Sequence, residues 1–165
     1  MSINTVLYSG TSKDSDSWKQ LGLKSLHTED LVINGKSLIF DKFDSTIPVN
    51  TYDGANNLVT SDVFSLNIHA INVGHIVVMT IAQIGYTAPG AFNYFGFQLP
   101  SADFIPNTIN SSVLLCSVGG TFATNKYTIT TTGQVRIFKD LNASNFALGD
   151  VFAAPQQTIT YDNTN

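Results

Sequence analysis

The heptapeptide Phe-Ser-Leu-Asn-Ile-His-Ala at residues 64–70 alternates strictly between apolar and polar side chains. Successive side chains of a β-strand point to opposite faces, so this period of two places all four apolar residues on one face. The pattern predicts a half-buried antiparallel strand. Val73, Gly74 and His75 follow it and predict a turn, because Gly adopts the backbone angles of tight turns without steric cost.

The next stretch, residues 76–82, is apolar on both faces except at Thr80. A strand of this kind is covered on both sides. One face can pack against an opposing sheet, and the other needs a second cover, such as another subunit. Similar strand patterns recur to the end of the chain at the spacing of about 8–12 residues that is typical of sandwiches. We therefore predict an all-β fold, an antiparallel jelly-roll-like β-sandwich of about eight strands.

The charged residues are unevenly distributed along the chain. The 165 residues include 8 basic and 12 acidic side chains, and eleven of these 20 fall within the first 44 residues. This composition shift predicts two parts: residues 1–44, a leader, neck or shaft-like segment, and residues 45–165, a β-sandwich head. Within the leader, two apolar runs flank Asn34 and Gly35, which predicts a short β-hairpin.

The composition of the sequence argues against several classes of protein. A net charge of −4 argues against binding nucleic acid, since phosphates demand a basic surface. An apolar content of 43% argues against intrinsic disorder. No apolar run is long enough to span a bilayer, and no signal peptide is evident. Cys116 is the only cysteine, which excludes a disulfide within the chain and predicts a buried, inert thiol.

No motif in the sequence indicates catalysis or a cofactor. The only histidines are His27, His69 and His75, and no Cys or Glu accompanies them at the spacing of a zinc site. We find no nucleophile elbow and no phosphate-binding loop. We expect a protein that is not an enzyme, with no cofactor and no metal.

The segment from residue 86 to 95 combines Pro and Gly with four aromatic residues. On an exposed loop, Tyr and Asn side chains can stack on and hydrogen-bond to a sugar or a protein surface. This interpretation makes Tyr86, Phe92, Asn93 and Tyr94 candidate binding residues. The other interpretation is that the aromatic side chains cover the end of the core or pack at a subunit interface. The sequence leaves both open.

Four motifs occur in a characteristic order after residue 46. A Gly-centred turn leads into an apolar strand at 73–78, and a Leu-Pro pair at 99–100 precedes a Phe-Ile-Pro loop at 104–106. A hairpin with Gly before an alternating strand spans 132–137, and an Ile-Thr-Tyr strand closes the series at 159–161. This order resembles the trimeric head domains of viral and bacteriophage fibre, spike and other receptor-binding proteins.

The resemblance implies a homotrimer on the virion surface that binds a host-surface receptor, either a glycan or a protein. It implies that residues 1–44 join the head to the virion or capsid, and that the chain is made in the host cytoplasm without a signal peptide. It implies neither nucleic-acid binding nor membrane insertion. Two alternatives stay open: a structural minor capsid or decoration protein with a jelly-roll fold and no receptor role, and a cellular lectin-like or cytokine-like β-sandwich module.

Overall fold

The computed structural model describes residues 30–33 and 36–163, with side chains described from residue 41 onward. This part of the chain contains no α-helix, and hence none that could cross a bilayer. All strand pairs are antiparallel, which confirms the predicted all-β antiparallel fold. The strands are β1 (Asp30–Ile33), β2 (Lys36–Tyr52), β3 (Leu58–Val73), β4 (Ile76–Ile81), β5 (Ile84–Thr87), β6 (Tyr94–Gln98), β7 (Asn110–Val118), β8 (Thr121–Ile129), β9 (Gln134–Phe138), β10 (Val151–Ala154) and β11 (Gln157–Asp162).

The alternation at residues 64–70 has the predicted consequence in β3. Leu66, Ile68 and Ala70 are buried, whereas Ser65 and Asn67 are exposed. The apolar side chains leave water on one face while the polar side chains keep their hydration on the other. The hydrophobic pattern thus fixes which face of β3 lines the core.

The strand predicted to follow, at residues 76–82, is present as β4. In β4, Val77, Met79 and Ile81 point into the core, whereas Ile76 is 53% exposed and Val78 is 37% exposed. The outer face of β4 therefore remains apolar and largely uncovered in the single chain.

The strands form one sheet that curls back on itself. Their hydrogen-bonded order is β11-β4-β3-β2-β6-β9-β8-β7-β10-β5. The first and last pairs of this path are joined by the chain itself, because β4 continues into β5 after two residues and β10 continues into β11 after two residues. If each of these bent pairs is counted as one strand, the described sheet is a ring of eight antiparallel strands around one hydrophobic core, with β1 paired outside it.

One segment of the ring is a Greek key. Strands β7, β8 and β9 are joined by short hairpins, and β6 lies beside β9 although a long connection separates β6 from β7 in the chain. That connection contains a single 3₁₀ turn, Ala102–Phe104, which closes one end of the barrel. Asn72 Nδ2 donates to the carbonyl oxygen of Asp103 over 2.7 Å, and the Tyr161 hydroxyl donates to that of Phe104 over 2.6 Å.

A side chain completes the seam between β7 and β11. The Leu115 amide donates to Gln157 Oε1 over 2.7 Å, and Gln157 Nε2 donates to the Leu115 carbonyl over 2.9 Å. The carboxamide of Gln157 therefore satisfies both backbone groups of Leu115, as a neighbouring strand would.

The leader is only partly described. Strands β1 and β2 pair in antiparallel orientation, with Asp30 opposite Ile39 and Ile33 opposite Lys36. The predicted turn at residues 34–35 and residues 1–29 lie outside the described residues. Strand β2 continues through residue 44 and pairs with β3 on both sides of it. The division of the chain at residue 44 stays a prediction.

We predict that Gln157→Ala lowers the free energy of unfolding by about 1–2 kcal/mol, because two hydrogen bonds to Leu115 are lost. The matched control is Gln156→Ala, since Gln156 is exposed and makes no side-chain hydrogen bond with any described residue. Urea unfolding of both variants measures the difference. Equal stability of the two variants would show that the seam does not depend on this amide.

A second prediction concerns alkaline pH. Burial raises the pKa of Tyr127 from its ordinary 10.0 to about 12. Above pH 10 the unfolded chain loses this proton while the folded chain keeps it, so stability falls as the pH rises towards 12. The Tyr127 hydroxyl lowers the free energy of unfolding by about 1.4 kcal/mol per pH unit in this range, and Tyr127→Phe removes this contribution. The unfolding free energy of the variant, measured in urea from pH 9 to 12, should therefore fall less steeply. Parallel curves for the two proteins would contradict the assignment.

Candidate functional site

The structure brings two of the four predicted binding residues together, since the ring centroids of Tyr86 and Phe92 lie 6.2 Å apart, whereas Tyr94 points to the outer face of β6. It also exposes the four unequally. Phe92 and Tyr94 are 4% and 1% exposed, whereas Tyr86 and Asn93 are half-buried. In this conformation the buried rings have a packing role. Receptor contact through this loop stays a prediction that concerns chiefly Tyr86 and Asn93.

Packing in the loop centres on Phe95, whose side chain points into the barrel. Its ring lies 4.9 Å from that of Phe92, 5.2 Å from that of Tyr86 and 5.0 Å from that of Phe146, measured between centroids. The rings of Phe64 and Phe152 lie 5.4 and 5.7 Å away. These separations are within the range of favourable aromatic pairs. The aromatic side chains of residues 86–95 that point into the barrel therefore belong to the hydrophobic core.

Asn93 links this loop to the loop at 140–149. Its Nδ2 donates to the Ala143 carbonyl over 2.7 Å and to Asn145 Oδ1 over 2.9 Å, and its backbone amide donates to the Tyr52 carbonyl over 2.7 Å. The amide group of Asn93 is thus already engaged within the chain.

Tyr94 points to the opposite face from Phe95, as neighbours in a strand must. The rings of Tyr94 and Tyr52 stack with centroids 5.1 Å apart and planes 11° from parallel, and the Tyr94 hydroxyl donates to Asn56 Oδ1 over 3.0 Å. The guanidinium carbon of Arg136 lies 5.1 Å from the centre of the Tyr94 ring. We call Tyr52, Tyr94, Gly96 and Arg136 the tyrosine shelf. Burial raises the pKa of Tyr94 above its ordinary value, although the Arg136 charge opposes this shift.

Gly96 makes the tyrosine shelf possible. A Cβ atom at this position would lie 2.7 Å from Cε2 of Tyr52 and 3.3 Å from Cε2 of Tyr94. Gly96 is also paired with Arg136 on β9 and with Asn50 on β2. The missing side chain leaves the space into which the Tyr52 ring leans.

Sequence reasoning missed Tyr52 and Arg136 as members of one site. A signal was present, because Arg136 is the only arginine in the chain and occupies an outward position of an alternating strand. Gly96, its neighbour on β6, is 40 positions away and Tyr52 on β2 is 84 positions away, so their approach depends on strand register.

The histidines form no metal site in the described residues. Nδ1 of His69 lies 3.6 Å from Oδ2 of Asp44 on the sheet surface, and His75 is exposed at the turn after β3. No group of three or more His, Cys, Asp or Glu side chains could hold a metal in this part of the chain. His27 lies outside it. Cys116 is buried, as predicted, and burial raises the pKa of its thiol, which makes the thiolate scarce at neutral pH.

A second uncovered apolar surface lies on the outer face of β7 and β8. Val113, Leu115 and Phe122 are 55%, 63% and 95% exposed. We call these three residues the β7–β8 face, and Val73, Ile76 and Val78 the β4 face. A groove of about 290 Å³ borders Leu115 and Phe122. Exposed apolar patches of this kind mark interaction sites.

Comparison with known proteins gives a structural likeness alone. No family model matches the chain, and no curated protein sequence matches it. The fold is similar to that of the reovirus attachment protein sigma1, whose crystal structure was determined in complex with alpha-2,3-sialyllactose. The TM-score is 0.52 at 11% sequence identity, and the match covers 84% of this chain and 88% of that chain. At this identity the likeness shows a shared fold.

We predict that Gly96→Ala lowers the free energy of unfolding by about 1–3 kcal/mol, because the added methyl group overlaps the Tyr52 ring. The control is Gly85→Ala in β5, where an added Cβ meets nothing within 4 Å. Thermal unfolding compares the two, and tyrosine fluorescence reports the displaced Tyr52 ring. A destabilisation no larger than that of the control would contradict the close packing at Gly96.

Proposed function

We propose that this chain forms the head of a viral attachment protein, displayed on the virion surface, that binds a host-surface receptor as a homotrimer. The observation that carries the proposal is the likeness to an attachment protein over 84% of the chain. The low charge of the head and the Thr, Ser and Asn side chains on its surface support a receptor-facing role. The proposal includes no catalytic step.

The two uncovered apolar faces support the trimer. A cyclic trimer joins two different patches of each subunit, one to the other, around its axis. The β4 face and the β7–β8 face supply two such patches, and only the bent strand β10–β11 separates β4 from β7 in the ring. Pairing them would cover Ile76 and Phe122, which are 53% and 95% exposed in the single chain.

The leader completes the proposal. Residues 1–44 attach the head to the virion, as the resemblance to fibre proteins implies, and the β1–β2 hairpin is the end of this segment that adjoins the head.

We predict that the chain elutes as a trimer in size-exclusion chromatography with light scattering, and that Phe122→Ser converts it to monomer without loss of secondary structure. Burying a phenylalanine side chain contributes about 2–3 kcal/mol at each of three interfaces, so its removal should shift the equilibrium strongly. The control is Leu148→Ser, since Leu148 is 78% exposed but lies outside both apolar faces. A wild-type monomer at micromolar concentration would contradict the trimer.

Attachment itself is tested by adding the labelled trimer to susceptible cells and to a glycan array. The proposal expects saturable binding to cells, blocked by unlabelled protein. A trimer that binds neither cells nor glycans would favour the structural capsid or decoration role.

A further inference from the structure

We propose that the tyrosine shelf is a binding site for an anionic saccharide, with the Arg136 guanidinium as the anion-binding group. This inference rests on the receptor-binding role proposed above and assigns that role to a surface. The ligand class is a sugar that bears a carboxylate or a sulfate.

The first argument is the unused hydrogen-bonding capacity of Arg136. A guanidinium carries five N–H donors. Among the described residues, only Nε–H has an acceptor, Gln134 Oε1 at 2.8 Å, and no carboxylate lies within ion-pair distance. The residue is half-buried, and its terminal N–H groups have no acceptor among the described residues. A planar anion can accept from them in pairs.

The second argument is that Arg136 is held in place before any ligand arrives. Gln134 fixes one edge of the guanidinium, and the Tyr94 ring supports it at 5.1 Å. Tyr94 is itself fixed by its stack on Tyr52 and by its hydrogen bond to Asn56. A group ordered in advance loses little conformational entropy on binding.

The third argument concerns the surroundings of the guanidinium. Tyr52 is partly exposed and offers an aromatic surface. On the adjacent strand β6, Gln98 donates through Nε2 to the Thr132 carbonyl over 2.6 Å and can accept from a sugar hydroxyl through its Oε1. Asp53, the residue after Tyr52, accepts from the backbone amides of Ala55 and Asn57 over 2.9 and 2.8 Å and is engaged in its own loop. A flat surface of aromatic and amide groups suits a sugar ring. It suits a protein partner less well, because the residues that dominate protein interfaces fill deeper apolar pockets.

The fourth argument is accessibility in the trimer. In the ring of eight strands, β6 and β9 lie opposite β4–β5 and β10–β11. Subunits that pack the β4 face against the β7–β8 face would therefore leave β6 on the outside. Strand β9 adjoins β8, but Phe122 lies six residues before Thr128, the β8 residue that pairs with Arg136.

The experiment titrates the full chain with sialyllactose, sulfated lactose and lactose, followed by NMR of the backbone amides. We expect an anionic sugar to bind about tenfold or more tightly than lactose, with shifts at Tyr52 and Arg136. Arg136→Gln should abolish that preference. The matched control, Lys126→Gln, removes the other cation over an aromatic ring of this face, 5.8 Å from the centre of Phe138, and should keep it. If only one of the two anionic sugars binds, the result identifies whether the site takes a carboxylate or a sulfate. If both bind, the result supports anionic saccharides as the ligand class.

Three results would overturn the inference: equal binding of lactose, full binding by Arg136→Gln, or no binding of either anionic sugar. Circular dichroism and light scattering of both variants establish that fold and trimer are retained.

Cell attachment is measured in parallel. If cells are bound but Arg136→Gln binds them equally, the saccharide site is wrong and the receptor role stands. If Arg136→Gln loses cell attachment although no sugar binds, the partner is a protein carboxylate and the saccharide is wrong. If the trimer binds an anionic sugar through Arg136 but no cell, the site stands and the receptor role fails.

Discussion

Phe95 contacts five aromatic rings, three of which come from other strands of the sheet. Phe64 belongs to β3, Tyr86 to β5 and Phe152 to β10, and the remaining two rings belong to loops. Strand β3 lies near one end of the curled sheet, and β5 and β10 form the other. The sheet can close only if side chains from both ends meet in its interior, and Phe95 is where these rings meet. The position of β6, and therefore of everything on its outer face, follows from this packing.

The outer face of β6 depends on the inner one. Because Phe95 points inward, Tyr94 and Gly96 must point outward, and they do so beside Arg136 on β9 and Tyr52 on β2. A slip of one residue in the β6–β9 register would put the guanidinium against a different set of side chains. The core thus determines both the existence of the tyrosine shelf and its composition.

Local patterns predicted the elements well and the candidate site poorly. The alternation at residues 64–70 and the turn at Gly74 follow from strand geometry and from the freedom of Gly at positive φ, which is 70° there, so both could be read locally. The same reasoning fails for Tyr94 and Phe95. Both are aromatic and both are buried, so hydrophobicity cannot tell which one faces the core. Gly96 and Tyr94 lie 40 and 42 residues from Arg136 along the chain, and only the pairing of β6 with β9 brings them together.

The amide of Gln157 has a further consequence for the edge of β7. Strand β7 pairs with β8 along its whole length, but β10 covers its other edge only at Ser117 and Val118. An open strand edge with exposed apolar side chains is a template on which a second chain can add a strand. By occupying both backbone groups of Leu115, Gln157 removes the central rung of that template. Gln157 therefore closes the barrel and leaves no free backbone group at Leu115 with which a strand of a second chain could pair.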